Sequence, residues 1–217
     1  MHKIIDVEFE ADVLDANRRI ADDVGEHLDS HGILSVEFMG STGSGKTLII
    51  EKLVDHLAKN GKRAGVIVGD VAGDDDYRRI KAHGAEVVNV NTGKECHLDA
   101  HLVEHASEKI DLDAIDCLIV ENVGNLICPA DFPLGTKKRV VVISVTEGDD
   151  MVRKHPVIFQ IADAIVVNKI DLAPYVDVDL KVIQTDLKRI APHVPAFMTD
   201  AKHGENLETF MDAILDE

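Results

Sequence analysis

The sequence predicts an α/β fold with a mostly parallel sheet and helices on both faces. Short runs rich in valine and isoleucine alternate with stretches of helical periodicity, which is typical of βαβ units. These apolar runs contain few polar residues, as expected of strands buried on both faces. A glycine-rich segment, GSTGSGKT, separates the first run from the next helical stretch. Such sheets bind ligands beyond the carboxyl ends of their strands, where we expect the functional residues.

The elements are predicted in regular order after an N-terminal helix. One face of this helix carries four apolar residues, Val13, Ile20, Val24 and Leu28. The helix is expected to end at Gly32. Strands are predicted over residues 33–39, 64–70, 86–90, 116–121, 139–145 and 163–168. Helices are predicted over residues 45–61, 75–84, 96–110, 177–191 and 206–217. We expect one domain over residues 1–217, with residues 1–32 packed on it as a helical segment.

The composition excludes two classes of partner. The 217 residues include 40 acidic and 23 basic ones, and the net charge of −17 repels nucleic acids. No apolar run is long enough to cross a bilayer, and the N-terminal residues lack a signal-peptide pattern. We therefore expect a cytoplasmic protein without a membrane partner. The three cysteines form no disulfide framework and are expected to be reduced.

Residues 40–47 match the phosphate-binding pattern G-x-x-x-x-G-K-S/T. Glycines allow successive backbone N–H groups to point inward, and the start of the next helix adds its positive end. Lys46 is expected to reach the β- and γ-phosphates, and the Thr47 hydroxyl to hold Mg²⁺. The predicted loop consists of Gly40, Ser41, Thr42, Gly43, Ser44, Gly45, Lys46 and Thr47. The pattern and its position predict a P-loop nucleoside triphosphatase.

The segment NKID, residues 168–171, predicts guanine as the base. The carboxylate of Asp171 can accept hydrogen bonds from guanine N1–H and N2–H, whereas adenine has no N1–H. Lys169 is expected to lie over the base, and Asn168 to tie this loop to the phosphate loop. In the later segment TDAKHG, the backbone of Ala201 and the stem of Lys202 are further expected base contacts. GTP is therefore the predicted nucleotide.

The strand ending at residue 121 leads into the predicted switch segment, ENVGN. Glu121 is expected near Mg²⁺, directly or through water, and the Gly124 N–H is expected to sense the γ-phosphate. Asp70, at the end of an earlier strand, is a second acidic candidate for the magnesium site. For both acids a cap on the following turn is the structural alternative. Arg78, Arg153 and Lys154 are candidate contacts to the γ-phosphate.

Two cysteines lie beside these segments. Cys96 and His97 follow the third strand, and Cys128 follows the switch segment. Thiolate and imidazole are ligands for Zn²⁺ or Ni²⁺, but buried reduced cysteine is common, so the residues alone leave both interpretations open. Cys117 lies in an apolar strand and is expected in the core. With three ligands per chain, a closed metal site needs water, Asp131 or a second subunit.

Three histidines recur at helical spacing. His97, His101 and His105 are expected on one helical face, either as a secondary metal site or as a solvated surface beside core residues.

The sequence resembles the HypB family of hydrogenase-maturation nickel GTPases, in its short archaeal form. The segments NTGKECHLDAHLVEHA and ENVGNLICPADFPLGTKKRVVVISVTEGDD carry the resemblance most specifically, and it covers essentially the whole chain. It implies a SIMIBI-class P-loop GTPase that helps to insert nickel into NiFe-hydrogenase. It also implies a homodimer in the GTP-bound state, with a nickel or zinc site formed by Cys96, His97 and Cys128 at the interface.

The resemblance further implies a HypA-like nickel donor and the hydrogenase large subunit as partners. Two departures qualify it. The chain starts MHKIIDVEFE, so an N-terminal nickel motif or histidine-rich storage tract is not expected, and Asp200 stands where GTPases carry serine. A urease-accessory GTPase and a nucleotide-regulated zinc scaffold with incidental hydrolysis remain alternative interpretations, while a small-molecule kinase is disfavoured by the guanine-reading segment.

Overall fold

A computed structural model describes residues 2–216, with side chains described from residue 11 onward. The segment MHKIIDVEFE, in which no nickel motif is expected, lies outside the residues whose side chains are described. The strands are β1 (Leu34–Gly40), β2 (Ala64–Asp70), β3 (Glu86–Asn91), β4 (Cys117–Glu121), β5 (Lys138–Ser144), β6 (Ala164–Asn168) and β7 (Ala196–Met198). They form one sheet in the order β3-β2-β4-β1-β5-β6-β7, and every neighbouring pair is parallel.

The helices fill the connections between strands. They are α1 (His2–Ser30), α2 (Lys46–Lys59), α3 (Asp75–Lys81), α4 (Ala100–Ser107), α5 (Cys128–Asp131), α6 (Met151–Lys154), α7 (Pro156–Gln160), α8 (Leu180–Ile190) and α9 (Leu207–Leu215). Short 3-10 helices cover Leu112–Ala114, Val145–Glu147 and Ile170–Tyr175. Within residues 2–216, no helix is both long and apolar enough to cross a membrane.

Successive strand residues point to opposite faces of the sheet, and both faces are covered. Along β5, Val140 and Val142 pack on the side of α2, α3 and α9, whereas Val141 and Ile143 pack on the side of α6, α7 and α8. Helices α1 and α4 cover the remaining part of the second face. The predicted fold class is confirmed, because the central strands are apolar on both sides and helices cover both.

One predicted boundary changes the position of a candidate metal ligand, and some short elements were not predicted. Helix α4 begins at Ala100 rather than near residue 96, because the Asp99 side chain accepts a hydrogen bond from Leu102 N and caps the helix at that point. His97 consequently precedes the helix, and the predicted stripe of three histidines on one helical face is wrong. Strand β7 was not predicted, since it is only three residues long and its residues are half-buried or exposed.

Helix α1 is attached to the sheet by a buried polar side chain as well as by apolar packing. Asn17, which is 6% exposed, accepts a hydrogen bond from Ala100 N at 2.8 Å and donates one to Pro133 O at 2.9 Å. Val24 and Leu28 are buried in the same cluster as residues of α4. The N-terminal helix therefore contacts both the first turn of α4 and the loop after α5.

Candidate nucleotide and metal site

The phosphate loop, residues 40–47, joins β1 to α2 in the arrangement that the sequence predicted. Gly40, Gly43 and Gly45 have φ angles of 146°, 80° and 106°, which favour glycine. A Cβ atom on Gly40 would lie 2.0 Å from Val142 O, so the loop also needs glycine there for space. The loop borders a cavity of about 350 Å³, which is also lined by the ends of β2 and β4.

Lys46 is folded back onto the phosphate loop. Its Nζ atom donates hydrogen bonds to Gly40 O at 3.0 Å and to Ser41 O at 3.2 Å. Burial lowers the pKa of Lys46, and the negative charges of Glu121 and Asp76 oppose this effect. The ammonium group borders the cavity. An anionic ligand there would replace its neutral carbonyl partners with a charged one.

Acidic side chains cluster on one side of the cavity. The Thr47 hydroxyl donates a 2.8 Å hydrogen bond to Glu121 Oε1, and Glu121 Oε2 is buried without a hydrogen-bond partner. Burial raises the pKa of Glu121 from 4.5 to about 7, although Lys46 and the Thr47 hydrogen bond oppose the shift. Asp70 and Asp76 line the same cavity. Oxygen ligands grouped in this way suit a hard cation such as Mg²⁺.

Two charged cavity residues were missed by the sequence analysis. Asp76 and Arg79 of α3 line the cavity, and Arg79 is held by Glu51 at 2.8 Å and by Asp76 at 3.2 Å. The segment DDDYRR offers adjacent acids and adjacent arginines, so only the rotation of α3 shows which of them face inward. The neighbouring arginine, Arg78, pairs with Asp74 at 2.8 Å instead.

The other two candidate γ-phosphate contacts, Arg153 and Lys154, form ion pairs with aspartates in the described chain. Arg153 pairs with Asp186 at 2.5 Å, and Lys154 pairs with Asp150 at 2.6 Å. Both lie on α6, away from the lining of the nucleotide cavity.

The switch residue Gly124 lies directly against the phosphate loop. A Cβ atom on Gly124 would be 2.2 Å from Thr42 Oγ1 and 2.9 Å from Thr42 N. The carbonyl of Gly124 accepts a long hydrogen bond from Thr42 Oγ1 at 3.5 Å. The backbone of the switch segment therefore borders the end of the cavity where the γ-phosphate is expected.

The predicted base-reading loop, residues 168–171, is hydrogen-bonded to the phosphate loop by two side chains. Asn168, 2% exposed, donates to Ser44 O at 2.9 Å and accepts from Ala201 N at 3.0 Å. Lys169 Nζ donates to Gly43 O at 2.6 Å. Asp171 is exposed beside these ties. The Ala201 amide, expected as a base contact, already donates to Asn168, while Lys202 remains exposed.

Asp200, which replaces the usual serine, caps its own loop. Its carboxylate accepts hydrogen bonds from Lys202 N at 3.0 Å, from His203 N at 3.1 Å and from the His203 ring. Burial opposes ionisation of Asp200, but the His203 ring and these amides outweigh it and hold the pKa below its usual range. Asp200 therefore stabilises the loop that carries Ala201 and Lys202.

The cysteine and histidine residues singled out in the sequence lie together. Cys96 Sγ is 2.9 Å from Cys128 Sγ and 3.8 Å from His97 Nδ1. One ligand atom from each of these three residues lies within 4.8 Å of the others, so they form a metal-ligand group in the described residues. Asp131 is not part of this group. Cys117 is 1% exposed in the core, as predicted, and burial raises its pKa to about 12.

The local environment favours the metal-binding form of the imidazole. His97 packs on Phe132 with ring centroids 4.0 Å apart. Burial lowers its pKa, more than the nearby carboxylates Asp99 and Glu95 raise it, and neutral imidazole is the form that binds metals. The hydrogen bond between the two thiols, followed by burial, raises the pKa of Cys128. A metal ion bound by this group would displace thiol protons, so its affinity would rise with pH.

Comparisons with known proteins agree on one family. The protein-family model described as CobW/HypB/UreG, nucleotide-binding domain, matches residues 35–198 of the sequence. The probable hydrogenase maturation factor HypB of Methanocaldococcus jannaschii is 52% identical over 214 residues, which cover 99% of this chain and 96% of the relative. The chain belongs to the HypB family. The family resemblance inferred from the sequence motifs is thereby confirmed.

Solved HypB structures share the fold over nearly the whole chain. HypB from Archaeoglobus fulgidus matches with a TM-score of 0.86 and 44% identity, covering 92% of this chain and 97% of that one. HypB from Helicobacter pylori, solved in complex with nickel, matches with a TM-score of 0.87 and 33% identity, covering 92% and 94%. The fold is therefore that of P-loop nucleotide-binding proteins of the HypB family.

Proposed function

We propose that the chain is a GTP-hydrolysing metallochaperone that assists nickel insertion into NiFe-hydrogenase. One observation carries the proposal: the short segment from the end of β4 to the start of α5 contains Glu121 and Gly124 at the nucleotide cavity and Cys128 at the metal-ligand group. A change at the γ-phosphate can therefore move a metal ligand within the same short segment. The hydrogenase maturation factors among the relatives and the nickel complex of the Helicobacter pylori protein support nickel as the cargo.

GTP is the proposed substrate. Asp171 accepts hydrogen bonds from guanine N1–H and N2–H, and the inward N–H groups of the phosphate loop bind the phosphates. Lys46 exchanges the carbonyl oxygens of Gly40 and Ser41 for β- and γ-phosphate oxygens. Water attacks the γ-phosphorus in line, the bond to the bridging β-phosphate oxygen breaks, and GDP and phosphate are the products. Positioning and charge neutralisation supply the catalysis.

Mg²⁺ fits the acidic side of the cavity. Glu121 Oε2 is an orphaned buried oxygen there, next to the Thr47 hydroxyl and the carboxylate of Asp70. We infer that Thr47 holds the ion and that Asp70 and Glu121 hold it directly or through water, with Asp76 as a further candidate. When bound, the ion neutralises the phosphate charge that develops during transfer.

A GTP-dependent homodimer would complete the metal site. One chain brings together three ligands, whereas a closed zinc-type site takes four. Beside Cys128 lies an apolar groove of about 280 Å³ that includes Leu126 and Ala130. At this groove Ile127 is 62% and Val157 is 53% exposed, and a second subunit would bury them. We propose this surface as part of the dimer interface.

The proposed partners are a HypA-like nickel donor and the hydrogenase large subunit, in the cytoplasm. Urease maturation is a second candidate function. It is favoured by one relative, the hydrogenase/urease maturation factor HypB of Helicobacter pylori, which is 34% identical over 216 residues. Nickel transfer to each apo-enzyme, measured with the same loaded protein, distinguishes the two acceptors.

Analytical ultracentrifugation combined with metal analysis tests the proposed switch. Wild type, Cys128→Ala and the core control Cys117→Ala are compared with nickel, in GDP and in a non-hydrolysable GTP analogue. We expect wild type and the control to dimerise with the analogue and to gain metal, whereas Cys128→Ala fails to hold it. If the metal content is the same in both nucleotide states and in Cys128→Ala, the nickel-delivery proposal is wrong, while the GTPase proposal still stands.

A further inference from the structure

One amide side chain connects the two cysteine-bearing segments of the metal group. Asn125 Nδ2 donates a 3.2 Å hydrogen bond to the carbonyl oxygen of Cys96. Its Oδ1 atom accepts a 2.9 Å hydrogen bond from the backbone N–H of Ile127, the residue before Cys128. The backbone on each side of the thiol pair is thus bound to the same planar group, which limits how far the two thiols can move apart.

The backbone of Asn125 is bonded to the phosphate loop. Its N–H donates a 3.0 Å hydrogen bond to Gly40 O, which is also an acceptor for Lys46 Nζ at 3.0 Å. If Lys46 moves to a phosphate, Gly40 O retains the Asn125 amide as its partner and the local charge balance changes. The Asn125 side chain itself does not line the nucleotide cavity. It therefore connects the phosphate loop to the metal group, where its side chain also contacts Cys128 and lowers the pKa of that thiol.

The other end of the Cys96 segment is held by the core. Asn122 Oδ1 accepts hydrogen bonds from Leu98 N and Val123 N, both at 2.9 Å. Asn122 Nδ2 donates to Glu37 Oε1 at 2.7 Å, and both side chains are almost fully buried. Leu98 is therefore a fixed end of the segment, whereas the carbonyl of Cys96 is held by the switch segment.

We propose that Asn125 is a positioning residue that couples the Cys96 segment to the nucleotide-dependent switch segment. Both thiols then change position together when the nucleotide changes. The inference rests on the proposed nucleotide-controlled metal site. It assigns to Asn125 the coupling through which the bound nucleotide affects Cys96 as well as Cys128. Without the amide, Cys128 still moves with its own segment, but Cys96 does not follow. The nucleotide dependence of metal affinity is then lost, although the three ligands themselves remain.

The test compares Ni²⁺ affinity of wild type and Asn125→Ala in GDP and in a non-hydrolysable GTP analogue, by competition with a chelating dye. Asn60→Ala is the matched control, because Asn60 Nδ2 donates one hydrogen bond to a main-chain carbonyl, His56 O at 2.9 Å, at the far end of α2. We expect the two nucleotide states to differ on the order of tenfold in wild type and control, and roughly twofold or less in Asn125→Ala. Binding of GDP by each variant reports correct folding.

A second readout works without metal. The rate at which each thiol is alkylated is followed by mass spectrometry in both nucleotide states, with buried Cys117 as the internal reference. In wild type the rates at Cys96 and Cys128 both depend on the nucleotide, and in Asn125→Ala only the rate at Cys128 does.

The outcomes separate the two proposals. If Asn125→Ala keeps the wild-type nucleotide dependence at both thiols and in Ni²⁺ affinity, the role of Asn125 is overturned while the proposed function stands. If wild type itself shows no nucleotide dependence in either measurement, the proposed switch fails and the inference fails with it.

Discussion

At the scale of single residues, the glycines of the nucleotide site are constrained by other loops as much as by their own backbone. A Cβ atom on Gly45 would lie 2.3 Å from Asn168 Nδ2, in the loop that follows β6. A Cβ atom on Gly124 would collide with the backbone of Thr42. The three loops of the site are therefore packed against one another at positions where no side chain fits, and a substitution at either glycine displaces a neighbouring loop.

Replacing Asp171 tests the guanine assignment. We expect Asp171→Asn to weaken GTP binding roughly a hundredfold, because the amide no longer accepts two hydrogen bonds from guanine N1–H and N2–H. Xanthosine triphosphate should regain affinity, since its O2 atom accepts from the new amide. Isothermal calorimetry with both nucleotides measures the exchange. Asp177→Asn, at an exposed neighbouring position, should leave both affinities as in wild type, and unchanged GTP binding by Asp171→Asn would contradict the assignment.

Buried Glu37 makes stability depend on pH. Burial raises its pKa from 4.5 to about 7, against the lowering effects of Asn122 and Arg139. Between these pH values the folded chain keeps a proton that the unfolded chain loses, so this residue's contribution to the free energy of unfolding falls as pH rises. Glu37→Gln removes that dependence.

The expected difference is up to about 3 kcal/mol of relative stability gained by Glu37→Gln above pH 7, and little difference below pH 4.5. Urea denaturation across this range measures it. A stability difference between wild type and variant that stays constant with pH would show that the pKa of Glu37 is the same in the folded and unfolded chains.

At the scale of elements, helix α1 depends on one polar residue for its position. Asn17→Ala leaves Ala100 N and Pro133 O without their buried partner, and we expect a loss of roughly 1–3 kcal/mol in the free energy of unfolding. Denaturant titration measures the loss. Asn60→Ala, at an exposed helix end, should change stability by about 0.5 kcal/mol or less. Equal effects of the two substitutions would mean that α1 is held by apolar packing alone.

Elements with strong local patterns were predictable. The six longer strands are runs dominated by apolar residues, and α2 and α8 have clear helical periodicity, so their positions match the structure within a few residues. The start of α4 was not predictable, because the apolar pattern of residues 98–106 continues across the capping residue Asp99. Strand β7 was missed because a short edge strand buries too little apolar surface to leave a pattern.

At the scale of the whole molecule, charge opposes the proposed dimer. Each chain carries a net charge of −17, so association brings together two like-charged surfaces. Salt screens this repulsion, with a Debye length of about 30 Å at 0.01 M and about 10 Å at 0.1 M. We expect the dimer formed with a non-hydrolysable GTP analogue to tighten as salt rises over this range. Sedimentation equilibrium measures it, and a dimer that weakens with salt would indicate an interface dominated by ion pairs.

The sequence by itself determined the fold class, the phosphate loop and the family, and it predicted the base-reading loop, because each depends on residue types at short spacing. Only the tertiary structure decided that Cys96 and Cys128, 32 residues apart, lie with their thiols in contact. Their strands, β3 and β4, are not neighbours but flank β2, and this order of strands is not encoded in apolar runs. The orientation of α3 about its own axis likewise places Asp76 and Arg79 at the cavity. Contacts between loops depend on strand order and helix rotation, which long-range packing decides.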